Sequence, residues 1–595
     1  MNRFRAIAGL TGLLVFSAAA AYAQVPEPQP VDLPYGGNRT WTWVAAQLHI
    51  LFAAFILGAP IFVVICEWIG MRSKDLRYER LAKEVTKVTA ILYSMTALTG
   101  ALFIFVLLVA YPQFTSWFVA RFSPIFAFIY PGLFIAETII LYLYWYTWDE
   151  WQGRKKARHV ALGVLLNIIG TTTLIVINGP TSFMNTPARA AGDADIDLKT
   201  FVFEQASVFE LIYNFSWIPL NIHRFIGNVV FGGFIAGLIA AYMYMAAKSD
   251  EDRAYYDWMG FVGNLIGVGA LLLLPFAGYL LAYEFFEYDA SVGPYMMADQ
   301  LSMFFEMQGA LVGLIFLASN YYIWLSMKRI EGLETVRGTI GMPLMMILFP
   351  LVMLPALQLA PLYEGVISWS AFFGLLIATL VLPPIIAKIP PFRKWTMSPT
   401  TIIKLGFLMV ILGNAIWMTP HAFVATQALA THETELPDVG FTIGAFAYST
   451  TDLALMPTKN VAVALIVLVT IINFLIYNRA IRRGRIQWGK IDFISQYVLI
   501  FLAFSAIYTM SLMGTVRSLV RKYFHVYNVL PDFTTHSFTP TLVYSGYLWI
   551  AITLTFYAVV SFAIWVSLRP GPEKAKVPVL AQGAISESSV QAPTK

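Results

Sequence analysis

Charge is what this chain has least of. Only 12% of its 595 residues are Asp, Glu, Lys or Arg, against 58% hydrophobic and 15% aromatic, where soluble domains run at roughly 25% charged. With a mean hydropathy of +0.68, too little polar surface remains to coat compact domains. That excludes a soluble enzyme, a disordered protein and a nucleic-acid binder, and it sets much of the surface against lipid. The formal net charge of +5 then belongs to loops between spans, not to a patch for DNA. Cysteine is nearly absent as well. Cys66 stands alone in an apolar run, so no disulfide framework, thiolate metal cluster or C-x-x-C-H haem attachment can be built.

What is present begins as an address. Arg3 and Arg5 precede an apolar run from Ala6 to Phe16, and Ala21-Tyr22-Ala23 closes it before a Pro-rich stretch. Residues 1–23 read as a cleaved secretory signal, the other reading being a retained first helix. In either case Gln24 starts outside the membrane. Apolar stretches long enough to cross about 30 Å of hydrocarbon then recur near 42–70, 88–111, 124–147, 160–178, 221–247, 258–284, 304–327, 340–362, 367–387, 402–419, 460–478, 492–513 and 544–567. The expected fold is an all-α, polytopic transmembrane bundle of about thirteen spans, N-terminus outside and Lys595 inside. Most of the Lys and Arg residues fall on the loops this assigns to the inside, among them Arg72, Lys74, Arg154, Lys155, Arg482 and Arg483, as the positive-inside rule requires. Acidic and aromatic residues gather in the outer loops 180–219, 285–303, 420–459 and 514–543, which makes the outer face the expected working face.

Six of the seven histidines follow the same asymmetry. His49, His223, His421, His432, His525 and His536 lie at or near the outer side, and His159 alone lies inside. A histidine within a span is costly unless paired or ligated. Two readings stay open for His49, about eight residues into the first span, and for His223, at the head of the fifth: a hydrogen-bonded imidazole in a helix interface, or an axial ligand. Without cysteine, a transmembrane redox centre here is haem, held by His or His/Met. Met307, at the outer end of the seventh span, is a candidate sixth ligand for an iron on His223, the other reading being core packing.

Four motifs then share one resemblance. Leu48-His49-Ile50-Leu51-Phe52, continuing through Leu57-Gly58 to Cys66-Glu67, resembles the first helix of subunit I of the cytochrome bd quinol oxidases. Asn178-Gly179 followed by Met184-Asn185-Thr186-Pro187 is similar to that family's N-G-W-M-Q-N-P, and Glu137 in Leu133-Phe134-Ile135-Ala136-Glu137-Thr138 to its F-F-L-E-S-T. His223 stands where the family has its low-spin haem ligand. The resemblance implies a terminal oxidase of the bacterial inner membrane, a ubiquinol oxidase subunit with its redox site toward the periplasm. His49 would hold a high-spin haem (b and/or d), His223 and Met307 a low-spin haem b, and Glu137 would act with His49 in oxygen reduction. Electrons would come from quinol or a periplasmic cytochrome, and small membrane subunits or a subunit II-like partner would accompany the chain. Residues 24–400 would form the haem-binding bundle, 401–570 additional helices with outer loops, and 571–595 an inner tail.

The departures from the family are specific. Its long quinol-binding loop is reduced to roughly twenty residues between Tyr283 and Met303, and its G-R-Q-P-W becomes Gly365-Val366-Ile367-Ser368-Trp369. Glu364 stands one place from the family's haem-ligating glutamate and is a further candidate ligand. The acidic residue expected in the second helix is Ile104. The added helices bring His421, His432, His525 and His536, which could supply copper or a further haem, the other reading being solvated loop histidines. Arg517, Arg521 and Lys522 break the charge rule beside His525 and could bind haem propionates or an acidic partner. Two other functions fit part of these features: a membrane cytochrome b that moves electrons without reducing oxygen, and a transporter with Pro- and Gly-broken helices.

Overall fold

The computed structural model describes residues 29–188, 197–289, 291–297, 301–333, 338–339, 385, 389, 396–431, 441–443, 446–448, 456–534 and 542–568. In lipid, backbone polar groups must be satisfied within the segment, and the apolar runs accordingly form helices. In chain order these are α1 (Gly37–Ser73), α2 (Leu76–Ala110), the short α3 (Pro112–Arg121), α4 (Tyr130–Tyr146), α5 (Lys156–Phe183), α6 (Trp217–Ala246), α7 (Asp250–Leu271), α8 (Leu274–Tyr288), α9 (Ser302–Ser326), α10 (Pro399–Thr431), α11 (Met456–Arg483), α12 (Ile494–Leu519) and α13 (Leu542–Leu568). Strands are confined to two-stranded ribbons, such as Phe524–Val526 against Leu530–Pro531.

The protein is an all-α integral membrane bundle. Among the described residues ten helical stretches are long and apolar enough to span, and each coincides with an expected span. An eleventh falls on α10, where the shorter apolar stretch is Pro399–Ala415. The spans expected at 340–362 and, apart from residue 385, at 367–387 lie outside the described residues, as do the signal, the tail, Glu364, His432 and His536. The expected sixth span is two helices in succession, α7 and α8. Pro275, in the first turn of α8, has no N–H to continue a ladder, and Leu272–Leu273 form the joint.

Local chemistry fixes the packing. Lys74 ends α1 in the left-handed region at φ 57°, and the Asp75 side chain accepts from the Arg77 N–H at 3.0 Å to start α2. Two residues of connection leave α1 and α2 as antiparallel neighbours. α1 crosses α6 at Gly58, where a Cβ would lie 1.9 Å from the carbonyl oxygen of Asn228, so only glycine allows the backbones to approach so closely. Behind that crossing, Phe556 of α13 packs on Phe52 of α1 (4.8 Å) and Phe231 of α6 (5.6 Å). α12 in turn lies along α6, α9 and α1. The helices beyond residue 400 are thus built into the core of the first block. Ile104, 55% exposed, and Phe105, 63% exposed, point outward from α2, as lipid-facing side chains do.

Candidate redox site at one end of the bundle

His49 lies twelve residues into α1, deeper than the apolar run suggests because the helix already begins at Gly37. Its Nδ1 is 3.1 Å from the carbonyl oxygen of Thr96 on α2. A carbonyl can only accept, so Nδ1 carries the hydrogen and the Nε2 lone pair is left for a metal. The ring lies on bare backbone: a Cβ at Gly100 would stand 3.0 Å from His49 Cε1.

His223, in the second turn of α6, turns its Cδ2 and Nε2 toward Gly278 of α8, each 3.8 Å from where a Cβ there would be. It has no hydrogen-bond partner among the described residues. The next residue, Arg224, donates to Asn178 Oδ1 of α5, and Asn178 donates to Asn221 Oδ1 at 2.7 Å. Arg224 is close enough to act electrostatically on His49, on His223 and on Arg517 of α12. Arg517 donates to the Thr181 carbonyl at 2.6 Å, and Asn185 donates to the Arg517 carbonyl at 3.2 Å. Residues 178–187, singled out by sequence, are therefore the clamp that joins the head of α6 to the end of α12. Arg39, at the start of α1, is drawn into the same assembly by the carbonyls of Ser518 and Lys522.

The other expected ligands are placed as follows. Met307 sits on α9 against the cluster of Tyr295, Phe304, Leu512, Val516 and Trp549, and no contact among the described residues joins it to His223. Glu137 is buried on α4 with Oε1 3.2 Å from the Cβ position of Gly170, and it has no hydrogen-bond partner among the described residues. Its neighbour Thr138 meets Tyr93 OH at 2.7 Å. His421 lies on α10, with its side chain outside the description.

His525 is stacked on Phe114 (4.4 Å, 13°) and edged by Tyr111 (4.6 Å), with Nε2 3.7 Å from Asp532 Oδ1. Among the described residues no group of three or more His, Cys, Asp or Glu could hold an ion, and copper is not carried further. Burial, with Arg521 and Arg39 nearby, pushes the His525 imidazole down to about 4 from 6.5. An imidazole neutral in the folded chain and protonated near 6.5 in the unfolded one costs stability as pH falls from 6.5 toward 4, and nothing above that window. Between about pH 7.5 and 5 the melting temperature of the wild type should fall further than that of His525→Phe. Equal falls would remove His525 as the cause.

Haem fits this site on three observations. His49 presents a free Nε2, His223 faces unoccluded backbone, and the guanidiniums of Arg224 and Arg517 bond to neutral oxygens with no carboxylate in ion-pair contact among the described residues. Charges inside a membrane protein need a counter-charge, and carboxylate-bearing haem brings two. Sequence reading had Arg517 but missed Arg224, although it directly follows His223.

Residues 38–293 match the sequence family described as cytochrome bd terminal oxidase subunit I. Over that stretch, a little under half of its length, the chain is similar to cytochrome bd subunit I. A curated relative, the "Putative cytochrome bd menaquinol oxidase subunit I" of Bacillus subtilis, is 24% identical over 244 residues, which are 40% of this chain and 52% of that protein. The chain thus spans about half the length of the curated relative it matches. The bd oxidase structure from Geobacillus thermodenitrificans aligns at a TM-score of 0.42 and 13% identity, covering 89% of this chain and 96% of that one. The family match holds α1 to α8, with His49, Glu137 and His223, while Met307, Arg517 and His525 lie beyond it.

Proposed function

We propose that this protein is the oxygen-reducing subunit of a bd-like terminal oxidase in the bacterial inner membrane, with its redox site toward the periplasm. The electron donor would be quinol or a periplasmic cytochrome; His223, with Met307 as the proposed second ligand, would hold a low-spin haem b, and His49 would hold a high-spin haem. The observation that carries this reading is the His49 tautomer: Nδ1 is committed to Thr96 and Nε2 is free on a site with one histidine. Bound haem would supply the one-electron carriers and the open iron at which oxygen is reduced. Arg224 and Arg517 would hold carboxylates between the two histidines, and Glu137 would hold a proton at its carboxyl on the inner side of His49. A subunit II-like partner and small membrane subunits would complete the assembly.

The pyridine haemochrome assay on purified protein tests the cytochrome reading. The expected spectrum is that of b-type haem without thioether links, because one cysteine cannot make C-x-x-C-H. A colourless, folded protein would overturn it and favour a transporter. The short connection between α8 and α9 supports a second reading, an electron-transferring cytochrome b without oxidase activity. It is favoured if haem is present and quinol-reduced protein consumes no oxygen.

A further inference from the structure

At the opposite end of the bundle, on the face that the charge pattern places inside, side chains outside the redox site close on one carboxylate. Glu67, near the end of α1 and fully buried, has Oε2 2.5 Å from Tyr144 OH of α4. Its Oε1 is 2.5 Å from His159 Nδ1 and 2.8 Å from Lys156 Nζ, both on α5. Lys156 also reaches Glu79 of α2 at 2.8 Å, and the Glu79 side chain is 24% exposed. Lys156 thus links a buried carboxylate to one in contact with the aqueous phase.

The hydrogen bonds count the protons. His159 Nε2 is 2.9 Å from the Tyr144 carbonyl oxygen, which can only accept, so Nε2 bears a hydrogen. At 2.5 Å, a bare Nδ1 lone pair facing a carboxylate would be repulsive. The contact therefore holds a second proton, shared by Glu67 and His159. With it, two carboxylates are balanced by Lys156 and the imidazolium. Without it, one of the two carboxylates has no positive partner within the cluster. Tyr144 stacks on the imidazole at 4.5 Å and Trp148 meets its edge at 4.8 Å, fixing the ring. Among the described residues, Cys66 is buried next to Glu67 in the chain, Tyr78 lies close enough to act on it, and Lys83 and Asp149 form an exposed pair at 2.5 Å.

We propose that the Glu67–His159 pair is the proton-uptake site of the inner face, loaded from water by way of Glu79 and Lys156. This rests on the oxygen-reducing reading, in which each electron delivered to oxygen consumes one proton. Each transfer moves a proton and no electron: one leaves Nδ1 or Glu67 toward the outer side as another arrives through Lys156. The polar groups beyond lie along the seam of α1, α2, α4 and α5. Asn167 is bonded to the Pro60 carbonyl at 3.0 Å, then comes Glu137 at Gly170, then Thr138 with Tyr93, and finally the Thr96 carbonyl at His49. Glu67 and His49 are about 27 Å apart along α1 at 1.5 Å per residue, so water must bridge the gaps between these groups.

The test follows proton uptake with an indicator dye as reduced holoprotein meets oxygen, in wild type, Glu67→Gln and His159→Gln. Haem content and spectrum should be unchanged in both variants, and uptake should slow by at least ~10-fold, as loss of a proton-transferring group does. Tyr144→Phe keeps both members of the pair and covers a Glu67→Gln that does not fold. It should move the pH profile of uptake, because the Tyr144 hydroxyl bonds the carboxylate that carries the proton, whereas a merely structural role would leave the profile in place. Wild-type uptake rates in Glu67→Gln and His159→Gln, or an unmoved profile in Tyr144→Phe, overturn the proposal while the oxidase reading stands. A wild type that lacks haem or consumes no oxygen overturns the oxidase reading first, and the uptake role with it.

Discussion

Carbon monoxide added to the fully reduced protein should shift a high-spin absorption band, and His49→Ala should abolish the shift entirely. The effect is all-or-none because an iron held by His49 would have one histidine and no second protein donor among the described residues. The Nδ1–H to Thr96 bond at 3.1 Å keeps the ring in one tautomer and raises the basicity of Nε2. Removing the imidazole would remove the only axial donor that the described residues offer there. A low-spin band from a haem on His223 should persist in the same variant, since His223 faces Gly278 of α8 whereas His49 rests on Gly100 and Thr96 of α2. Gly100→Val makes the complementary point: its side chain would enter the space of the His49 ring, with Cβ alone 3.0 Å from Cε1. A reduced wild type indifferent to carbon monoxide would close the site to diatomic ligands and leave the electron-transferring cytochrome. A His49→Ala protein with the wild-type shift would move the open iron elsewhere.

Much of the fold was legible because membrane spans are written as long apolar runs, and every described run is a helix. The start of α1 was misplaced by five residues, since Gly37 to Trp41 are too polar to register as span yet are wound by the turn at Gly36 and anchored through Arg39. The break between α7 and α8 was visible only as Pro275. His49 and His223 could be singled out because a histidine in lipid is conspicuous. Arg224 could not, because its meaning depends on Asn178 and on Arg517, which are distant in sequence. The Glu67–His159 pair was hidden for the same reason: the two residues are 92 positions apart, and an inner histidine among basic loop residues looks like loop charge. His525, one of the four outer histidines that could supply a metal or be an ordinary loop side chain, has its ring stacked on Phe114 and edged by Tyr111, contacts that sequence spacing does not show.

Replacing Arg517 by Gln should lower the midpoint potential of the low-spin haem, and Arg224→Gln should lower it further. Reduction adds an electron, and a fixed positive charge nearby favours the state that has gained it. At an assumed separation of ~8 Å and an effective dielectric constant of ~20, one guanidinium contributes about 2 kcal/mol, or ~90 mV for a one-electron couple. Arg224 is adjacent to His223 and acts on both histidines, so its loss should exceed that of Arg517. Lysine at either position keeps the charge and should restore most of the potential, which separates electrostatics from loss of the Thr181 and Asn178 hydrogen bonds. Arg517 carries the greater consequence, because it lies on α12, beyond the residues that match the bd subunit I family. A lowered potential in Arg517→Gln would show that the additional helices help set the redox properties of the site. Potentials within a few millivolts of wild type in both glutamine variants would instead mean that these guanidiniums meet some other anion, and that the haem carboxylates are held elsewhere.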